Sequence, residues 1–184
     1  MRKVDVKEFY RLMSPRPTVL VTSIHSQTGK PNIITLGWTA PASHRPRLIA
    51  IFISTKRYSH HLIAKTKEFV LNVPGIDLVN QVYACGARSG RTVDKFTLSN
   101  LTAKPARKVK PPIIEECFAH LECKVVKRVR VGDHSMFIGK VVAAYANENV
   151  FQQGMLKIEK VSPIQHLGER IFLTSSKNVV QAKR

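Results

Sequence analysis

Residues 18–38 read TVLVTSIHSQTGKPNIITLGW, and this stretch contains the clearest structural signal in the chain. Residues 18–24 are rich in β-branched side chains, which favour strands, and residues 32–38 form a second apolar run. The polar residues 25–30 between them include Gly29 and are typical of a turn. The sequence therefore predicts a β-hairpin at this point.

Short apolar runs after the hairpin predict further strands, at residues 48–53, 68–73, 118–131, 135–146 and 156–161. The spacing of apolar residues predicts short helices, at residues 6–13, 58–65 and 76–83. Residues 40–46 are expected to form a loop. Because strands outnumber the short helices, the sequence predicts a single, mainly β domain over residues 1–184, folded as a barrel or a sandwich with helical insertions.

The strand predicted at residues 118–131 has one apolar and one polar face. The apolar face contains Leu121, Cys123, Val125, Val129 and Val131. The opposite face contains Glu122, Lys124, Arg128 and Arg130. We therefore expect the charged set to point outward.

Length and composition indicate a globular protein. The chain has 184 residues, 43% of them hydrophobic, which is enough to bury one core. The longest apolar runs, such as residues 48–53, are too short to span a membrane. Residues 1–5 lack the apolar core of a signal peptide. A cytoplasmic location without a membrane partner is expected.

The formal net charge of +18 raises the question of a nucleic-acid surface. The basic residues are dispersed, with small clusters at Lys104–Lys110, Lys124–Arg130 and Lys183-Arg184. Aromatic residues, on which bases would stack, do not interleave these clusters. We therefore predict a basic surface that promotes solubility and attracts small anions, and no specific nucleic-acid partner.

Three cysteines do not form a disulfide framework. Cys117 and Cys123 are expected to be small buried side chains, whereas Cys85 precedes a predicted loop and is the one cysteine that could take part in chemistry. His60 and His61 are adjacent, which is poor geometry for shared metal ligation. We predict no metal site.

The common signatures of nucleotide binding and hydrolysis are missing from the sequence. It contains neither GxGxxG after a strand nor GxxxxGK[ST], and neither GxSxG nor HExxH. Glu115 and Glu116 would face opposite sides of a strand, so they form a poor acid–base pair. We therefore predict no catalytic acid or base.

Two hydroxyl-rich segments, residues 38–43 and 54–61, remain as a candidate site. Arg57 and Ser59 lie at the start of a predicted helix, where free backbone N–H groups and positive charge suit a phosphate. The alternative is that Thr55 or Ser59 caps the helix and that Arg57 is solvated. The residues alone leave both possibilities open.

These segments also carry a resemblance to a known family. Residues 32–43 resemble the signature strand and loop of the flavin reductase-like proteins, which have the FMN-binding split-barrel fold and include flavoredoxins and ferric reductase-like proteins. The similarity continues in order through Tyr58-Ser59, Leu62-Ile63, Glu68–Pro74, Cys85-Gly86, Ser89–Arg91, Asp94–Phe96, Pro111–Ile113, Leu121–Val125 and His166–Gly168. It therefore spans nearly the whole chain.

The resemblance implies a split β-barrel that forms a homodimer with FMN near the subunit interface. The cofactor-binding residues that it and the candidate segments indicate are Asn32, Trp38, Thr39, Ala40, Pro41, Ala42, Ser43, Thr55, Lys56, Arg57, Tyr58, Ser59, Ser89, Lys95 and Phe96. Among them, Arg57 and Ser59 would hold the phosphate. His166 and Cys85 are expected as neighbours of the site, and the resemblance implies no redox role for Cys85.

The activity expected from the resemblance is reduction of flavin, or of a small-molecule or protein acceptor through bound FMN, by NADH or NADPH. Because the hydride chemistry belongs to the flavin, it requires no catalytic acid or base from the chain. One alternative is an FMN electron carrier or ferric reductase. Another, from a different class, is a non-catalytic basic β-barrel that binds nucleic acid. The single anion-binding cluster at Arg57 and Ser59 favours FMN over FAD.

Overall fold

The computed structural model describes residues 1–182, so the basic pair Lys183-Arg184 lies outside the described residues. The strands are β1 (Arg16–Pro17), β2 (Val19–Ile24), β3 (Pro31–Leu36), β4 (Thr39–Ser43), β5 (Leu48–Ser54), β6 (Glu68–Val73), β7 (Ala103–Lys104), β8 (Ile113–Ile114), β9 (Ala119–Val131), β10 (His134–Ala146), β11 (Phe151–Gln152), β12 (Met155–Leu156), β13 (Ile164–Gly168) and β14 (Ile171–Thr174). The molecule is a single, mainly β domain, as the sequence predicts.

The helices are short. They are 3-10 helices at Val6–Met13 and Ile76–Leu78, and the α-helices α1 (Tyr58–Thr66), α2 (Val79–Ala87) and α3 (Lys95–Ser99). The helices predicted at residues 6–13, 58–65 and 76–83 are therefore present, the first of them as a 3-10 helix. None of the helices within residues 1–182 has the length and apolar composition needed to cross a bilayer.

Seven strands form one antiparallel sheet in the order β3-β2-β6-β9-β10-β5-β4. The predicted hairpin is confirmed, because β2 pairs with β3 and Val21 lies opposite Ile34. The two longest strands, β9 and β10, form a second hairpin at the middle of the sheet. All residues of β2 are buried, so this strand is covered on both faces.

The sheet curls around a common core. Side chains from strands at both ends of the sheet pack with Ile63 of α1 in one cluster: Val19, Val21, Ile34, Leu36, Ile49, Ile51, Ile53, Ile63, Phe69, Leu71, Cys123 and Phe137. Because β3 and β5 lie far apart in the strand order but share this core, the sheet must close on itself as a barrel. Burial of these branched and aromatic side chains is the main stabilising term of the fold.

A second core covers the outer face of β2 and β3. Leu20 and Ile33 point out of the barrel and pack against α2, through Val82 and Cys85, and against α3, through Phe96. Cys117 belongs to this cluster and Cys123 to the first one. Both were predicted to be small buried side chains, and this is confirmed.

The prediction of a loop at residues 40–46 is wrong over its first half. Thr39–Ser43 forms β4 and pairs with β5 in antiparallel register, with an irregularity between Pro41 and Ser43. A proline is acceptable here because β4 is the outermost strand of the sheet, where its missing N–H costs no ladder hydrogen bond. Pro41 and Pro46 indicate a loop as long as the pairing with β5 is not known.

The prediction of a last strand at residues 156–161 is also wrong. The strand β12 ends at Leu156, and the chain then turns before forming β13 and β14, which the sequence did not predict. The polar residues Gln165 and His166 interrupt the apolar pattern of β13. This strand is stabilised by pairing with β1 on one side and β14 on the other.

Glu122 does not point into solvent as the alternation of β9 predicts, because its side chain is fully buried. It does lie on the outer face, but the basic connector between β7 and β8 folds over it. Its carboxylate accepts hydrogen bonds from the backbone N–H groups of Arg107, Lys108 and Val109 and from the hydroxyl of Tyr145. Lys124, Arg128 and Arg130 are exposed, as predicted.

Candidate functional site

A cavity of 820 Å³ opens where the end of β3, the start of α1 and the C-terminal strands meet. Its floor is formed by β3 and by the α2 residues Val82, Gly86 and Ala87. Its walls carry aromatic or imidazole side chains, namely Trp38, Phe52, Tyr83, His134, His166 and Phe172. Three cations, Arg16, Lys56 and Arg57, and one carboxylate, that of Glu169, also line it. Flat aromatic rings and positive charge therefore share one recess.

The aromatic wall is centred on Trp38, the single tryptophan of the chain. Its ring stacks on His134 with centroids 5.0 Å apart and planes inclined by 25°. Nδ1 of His134 lies 2.8 Å from Oδ1 of Asp133, and this hydrogen bond lowers the pKa of Asp133. An ionised Asp133 accepts a hydrogen bond from Nδ1–H of His134, which holds the imidazole ring in its orientation against Trp38.

The cationic end lies at the N-terminus of α1. Lys56 and Arg57 precede the helix, whose first N–H groups have no acceptor within the helix itself. Arg57 occupies the N-cap position, and within the described chain it makes no capping hydrogen bond through its side chain. Neither Thr55 nor Ser59 caps this helix, so that part of the alternative is wrong, but Arg57 is exposed, as the alternative predicts. A helix N-terminus flanked by two cations is a site that suits an anion.

Arg16, on β1, adds a third cation to the cavity lining. Its Nη1 donates to the backbone oxygen of Tyr10 at 2.6 Å, and its guanidinium lies 5.7 Å from the centre of the Tyr10 ring. Its Nε is buried and finds no hydrogen-bond acceptor within residues 1–182. A buried donor without a partner is costly, so a ligand that offers an acceptor here would be stabilised.

A close contact between α2 and β3 shapes the cavity floor. The hydroxyl of Thr35 donates to the backbone oxygen of Val82 at 2.6 Å. A Cβ atom at Gly86 would lie 3.3 Å from Cβ of Thr35, so a larger residue would push the helix away from the strand. Glycine at this position therefore allows α2 to form a flat floor.

The cavity brings together four of the residues that the sequence singled out: Trp38, Lys56, Arg57 and His166. The remaining candidates do not line it. Thr39, Ala40, Pro41, Ala42 and Ser43 form the edge strand β4. Ser89 is exposed in the loop after α2. The assignment of these residues to the cofactor stays a prediction.

Asn32, Thr55, Tyr58 and Ser59 lie close to the cavity without lining it. The Nδ2 group of Asn32 donates to the hydroxyl of Ser59 at 2.7 Å, and both residues are buried. The hydroxyl of Thr55 donates to the backbone oxygen of Asp133. Tyr58 faces a separate cavity on the other side of the first turn of α1. These contacts fix the start of α1 relative to β3 and the β9–β10 turn.

Lys95 and Phe96 are buried in the second core. The ammonium group of Lys95 donates to the backbone oxygens of Ile33 at 2.7 Å and Cys85 at 2.6 Å. Burial lowers the pKa of Lys95 to about 8. Lys95 thus ties α3 to β3 and α2, directly behind the cavity floor.

Cys85 is fully buried on the far side of the cavity floor. Burial raises the pKa of its thiol, and its Sγ lies 3.7 Å from the hydroxyl oxygen of Ser99. A buried, protonated thiol is a poor nucleophile. Within residues 1–182, no group of three or more His, Cys, Asp or Glu side chains is arranged to hold a metal ion.

Several lining residues were missed at the level of sequence. Tyr83 has the helical spacing of a core residue, and Arg16 and Phe172 have no distinctive local pattern. His134 could have been found by pairing β10 with β5, since it lies opposite Ser54, the last residue of β5, which comes two residues before Lys56. Only this strand pairing shows that the first residue of β10 reaches the cavity.

Residues 10–163 match the family model described as the flavin reductase like domain. An uncharacterized protein of Pyrococcus abyssi is 34% identical over 176 residues, which cover 96% of this chain and 99% of that protein. The reductase component of a 4-nitrophenol 4-monooxygenase/4-nitrocatechol 2-monooxygenase from Rhodococcus opacus is 25% identical over 148 residues, or 79% of this chain and 75% of that one. The chain belongs to the flavin reductase-like family.

Solved structures with the same fold include a flavoredoxin from Methanosarcina acetivorans, with a TM-score of 0.84 and 27% identity over 99% of this chain and 94% of that one. An FMN-binding protein from Thermus thermophilus has a TM-score of 0.84 and 22% identity, and the match covers 99% and 97% of the two chains. The predicted split-barrel fold is thereby confirmed.

Proposed function

We propose that this chain is a flavoprotein oxidoreductase that binds FMN in the 820 Å³ cavity and uses NADH or NADPH as hydride donor. The observation that carries the proposal is the combination, in one recess, of an aromatic wall and a cationic helix N-terminus. The flavoredoxin, the FMN-binding protein and the reductase component similar to this chain support the same class of chemistry.

The residues present fit such a cofactor. Ligand cavities measure roughly 300–1,000 Å³ and combine apolar walls with a few polar anchors, and the volume and lining of this cavity meet both criteria. Trp38, Phe52 and Phe172 offer contact area for a planar ring system. Lys56 and Arg57, with the free N–H groups of α1, would hold the phosphate.

The flavin supplies the hydride chemistry when it is bound. The task of the chain is then to bind, to orient and to exclude water. The stacked pair of Trp38 and His134 covers one side of the recess. The hydrogen bond from His134 to Asp133 fixes the orientation of the imidazole ring at the wall of the cavity.

Anaerobic mixing with NADH or NADPH tests the proposed activity. The protein is loaded with FMN, and the visible flavin absorption is followed after each nucleotide is added. We expect rapid bleaching and return of the colour when air or an acceptor is admitted. Bleaching by a chemical reductant but by neither nucleotide would favour the alternative of an electron carrier. Failure to retain any flavin would refute the proposal.

We also propose that a second copy of the chain covers the mouth of the cavity. The N-terminal 3-10 helix exposes an apolar face, on which Phe9 is 60% and Leu12 is 69% exposed. This face is continuous with the cavity, because the ring centroids of Tyr10 and Trp38 are 6.1 Å apart. Apolar side chains that are this exposed are typical of a surface that packs against another protein chain. The resulting homodimer would shield the flavin from water.

A further inference from the structure

A second cavity, of 420 Å³, lies on the other side of α1 and shares no lining residue with the first. Three separate segments converge on it. The turn between β2 and β3 contributes His25, the outer face of α1 contributes His61 and Lys65, and the loop after α2 contributes Arg91. The first turn of the helix separates the two cavities.

The charged side chains that line the second cavity are cations. Lys65 and Arg91 are cations, and neither forms an ion pair within 4.0 Å anywhere in the described chain. Among residues 1–182, no aspartate or glutamate lines this recess. Two uncompensated cations at the wall of a concave surface attract an anion more strongly than they would on a flat one.

The position of Arg91 is set by a close approach of the backbone. Its guanidinium lies 5.0 Å from the centre of the Tyr58 ring, which is cation–π geometry. The preceding residue, Gly90, packs so closely on Asn32 and Tyr58 that a Cβ atom there would collide with Asn32. The loop therefore holds Arg91 over Tyr58 and beside the cavity.

Hydrogen-bond donors from the other two segments complete the recess. Nδ1 of His25 accepts from the backbone N–H groups of Gln27 at 3.4 Å and Thr28 at 3.3 Å, so the donor of the neutral ring is Nε2. His61 and Lys65 are four residues apart on α1 and therefore share one face of the helix. Cations and imidazole donors of this kind recognise phosphate.

We propose that this second cavity binds a terminal phosphate group. We assign that phosphate to the 2′-phosphate of NADPH, an assignment that rests on the function proposed above. Arg57 lines the flavin cavity and Tyr58, the next residue, lines the second one, so a ligand held here lies beside the proposed flavin. NADPH carries a terminal phosphate that NADH lacks. The chain would therefore prefer NADPH.

The test compares wild-type FMN-loaded protein with Lys65→Met and with the control Lys140→Met. Both variants lose one exposed cation and the same net charge, but Lys140 lies on β10 opposite Leu48, at the other end of β5 from α1. We expect Lys65→Met to lower kcat/KM for NADPH about fivefold, the effect of one partly exposed charge contact. The kcat/KM for NADH and the affinity for FMN should stay within twofold, at about the wild-type level.

Titration with inorganic phosphate, followed by amide NMR shifts, tests the site without any flavin. Saturable shifts at the amides of Gln27 and Thr28, weakened by Lys65→Met and unchanged by Lys140→Met, would support the phosphate site even if no nucleotide is oxidised. Such shifts combined with an unchanged preference between NADPH and NADH would assign the site to a free phosphate or another phosphate ester. Absence of phosphate shifts together with equal losses for NADPH and NADH would overturn the proposal.

Discussion

The buried carboxylate of Glu122 offers a stability prediction whose size can be worked out from its contacts. Oε1 accepts from the N–H of Arg107 at 2.8 Å and from the hydroxyl of Tyr145 at 2.9 Å. Oε2 accepts from the N–H groups of Lys108 at 2.6 Å and Val109 at 3.1 Å. In Glu122→Gln one of these oxygens becomes an NH₂ group, which cannot accept.

The least costly arrangement places the new NH₂ group beside Tyr145, whose hydroxyl can reverse and accept. The N–H of Arg107 then loses its acceptor, which costs about 1–3 kcal/mol. The two bonds to the remaining oxygen lose their charge assistance, at roughly 0.5 kcal/mol each. We therefore expect Glu122→Gln to lower the free energy of unfolding by about 2–4 kcal/mol.

Urea unfolding at neutral pH measures this loss, with Glu116→Gln as the matched control. Both carboxylate oxygens of Glu116 accept from the single N–H of Thr102, and the side chain is exposed, so one remaining oxygen suffices. In the control, the free energy of unfolding should fall by less than about 0.5 kcal/mol. Equal losses in the two variants would refute the argument from hydrogen bonds.

The hydrogen bonds to the Glu122 carboxylate also predict how the free energy of unfolding depends on pH. Burial alone would raise the pKa of Glu122, but the hydrogen bonds from Arg107, Lys108, Tyr145 and Val109 outweigh it, so the pKa is lowered in the folded state. Its contribution to stability is therefore fully present above the pKa of an unfolded glutamate, and it is lost as the pH falls through the lowered folded value. The difference in unfolding free energy between wild type and Glu122→Gln should shrink below about pH 4.

Three further predictions concern the proposed function. Arg57→Ala should weaken FMN about fivefold, as measured by flavin fluorescence, but should leave riboflavin unchanged, because only FMN has the phosphate; equal losses for both ligands would exclude a phosphate role for Arg57. Phe9→Glu should convert a dimer to a monomer in light scattering, since it places a charge on the exposed apolar face; a wild-type protein that is monomeric with flavin bound would contradict the proposed dimer. Binding of DNA or RNA to the basic segments Lys104–Lys110 and Lys124–Arg130 should be weak and fall steeply with salt; tight, sequence-selective binding at physiological salt would favour the nucleic-acid alternative.

Local patterns were sufficient to predict most of the barrel. The β2–β3 hairpin, β5, β6 and the β9–β10 hairpin all consist of apolar or alternating runs of a length typical of strands. β4 and β13 do not, because Pro41 and the polar residues of β13 mask an extended backbone that is stabilised by pairing with a neighbour. An edge strand is defined by its partner as much as by its own side chains.

The candidate site could be predicted only where its residues adjoin a strand end or a helix start. Trp38 follows β3 and Arg57 precedes α1, and both features are visible in the sequence. Tyr83 and Phe172 come from elements distant in sequence and meet the cavity only after the chain has folded. Glu122 shows the same limit, because alternation gives its face correctly but does not indicate the connector that covers it.

Trp38 is the single tryptophan of the chain, so its emission reports directly on flavin bound in the cavity that it lines. The flavin-free protein is titrated with FMN while tryptophan emission and flavin fluorescence are recorded together. We predict saturable quenching of Trp38 emission, with the same midpoint as the flavin signal and one FMN per chain at saturation. Flavin binding that leaves the emission of Trp38 unchanged would place the cofactor elsewhere and contradict the proposed site.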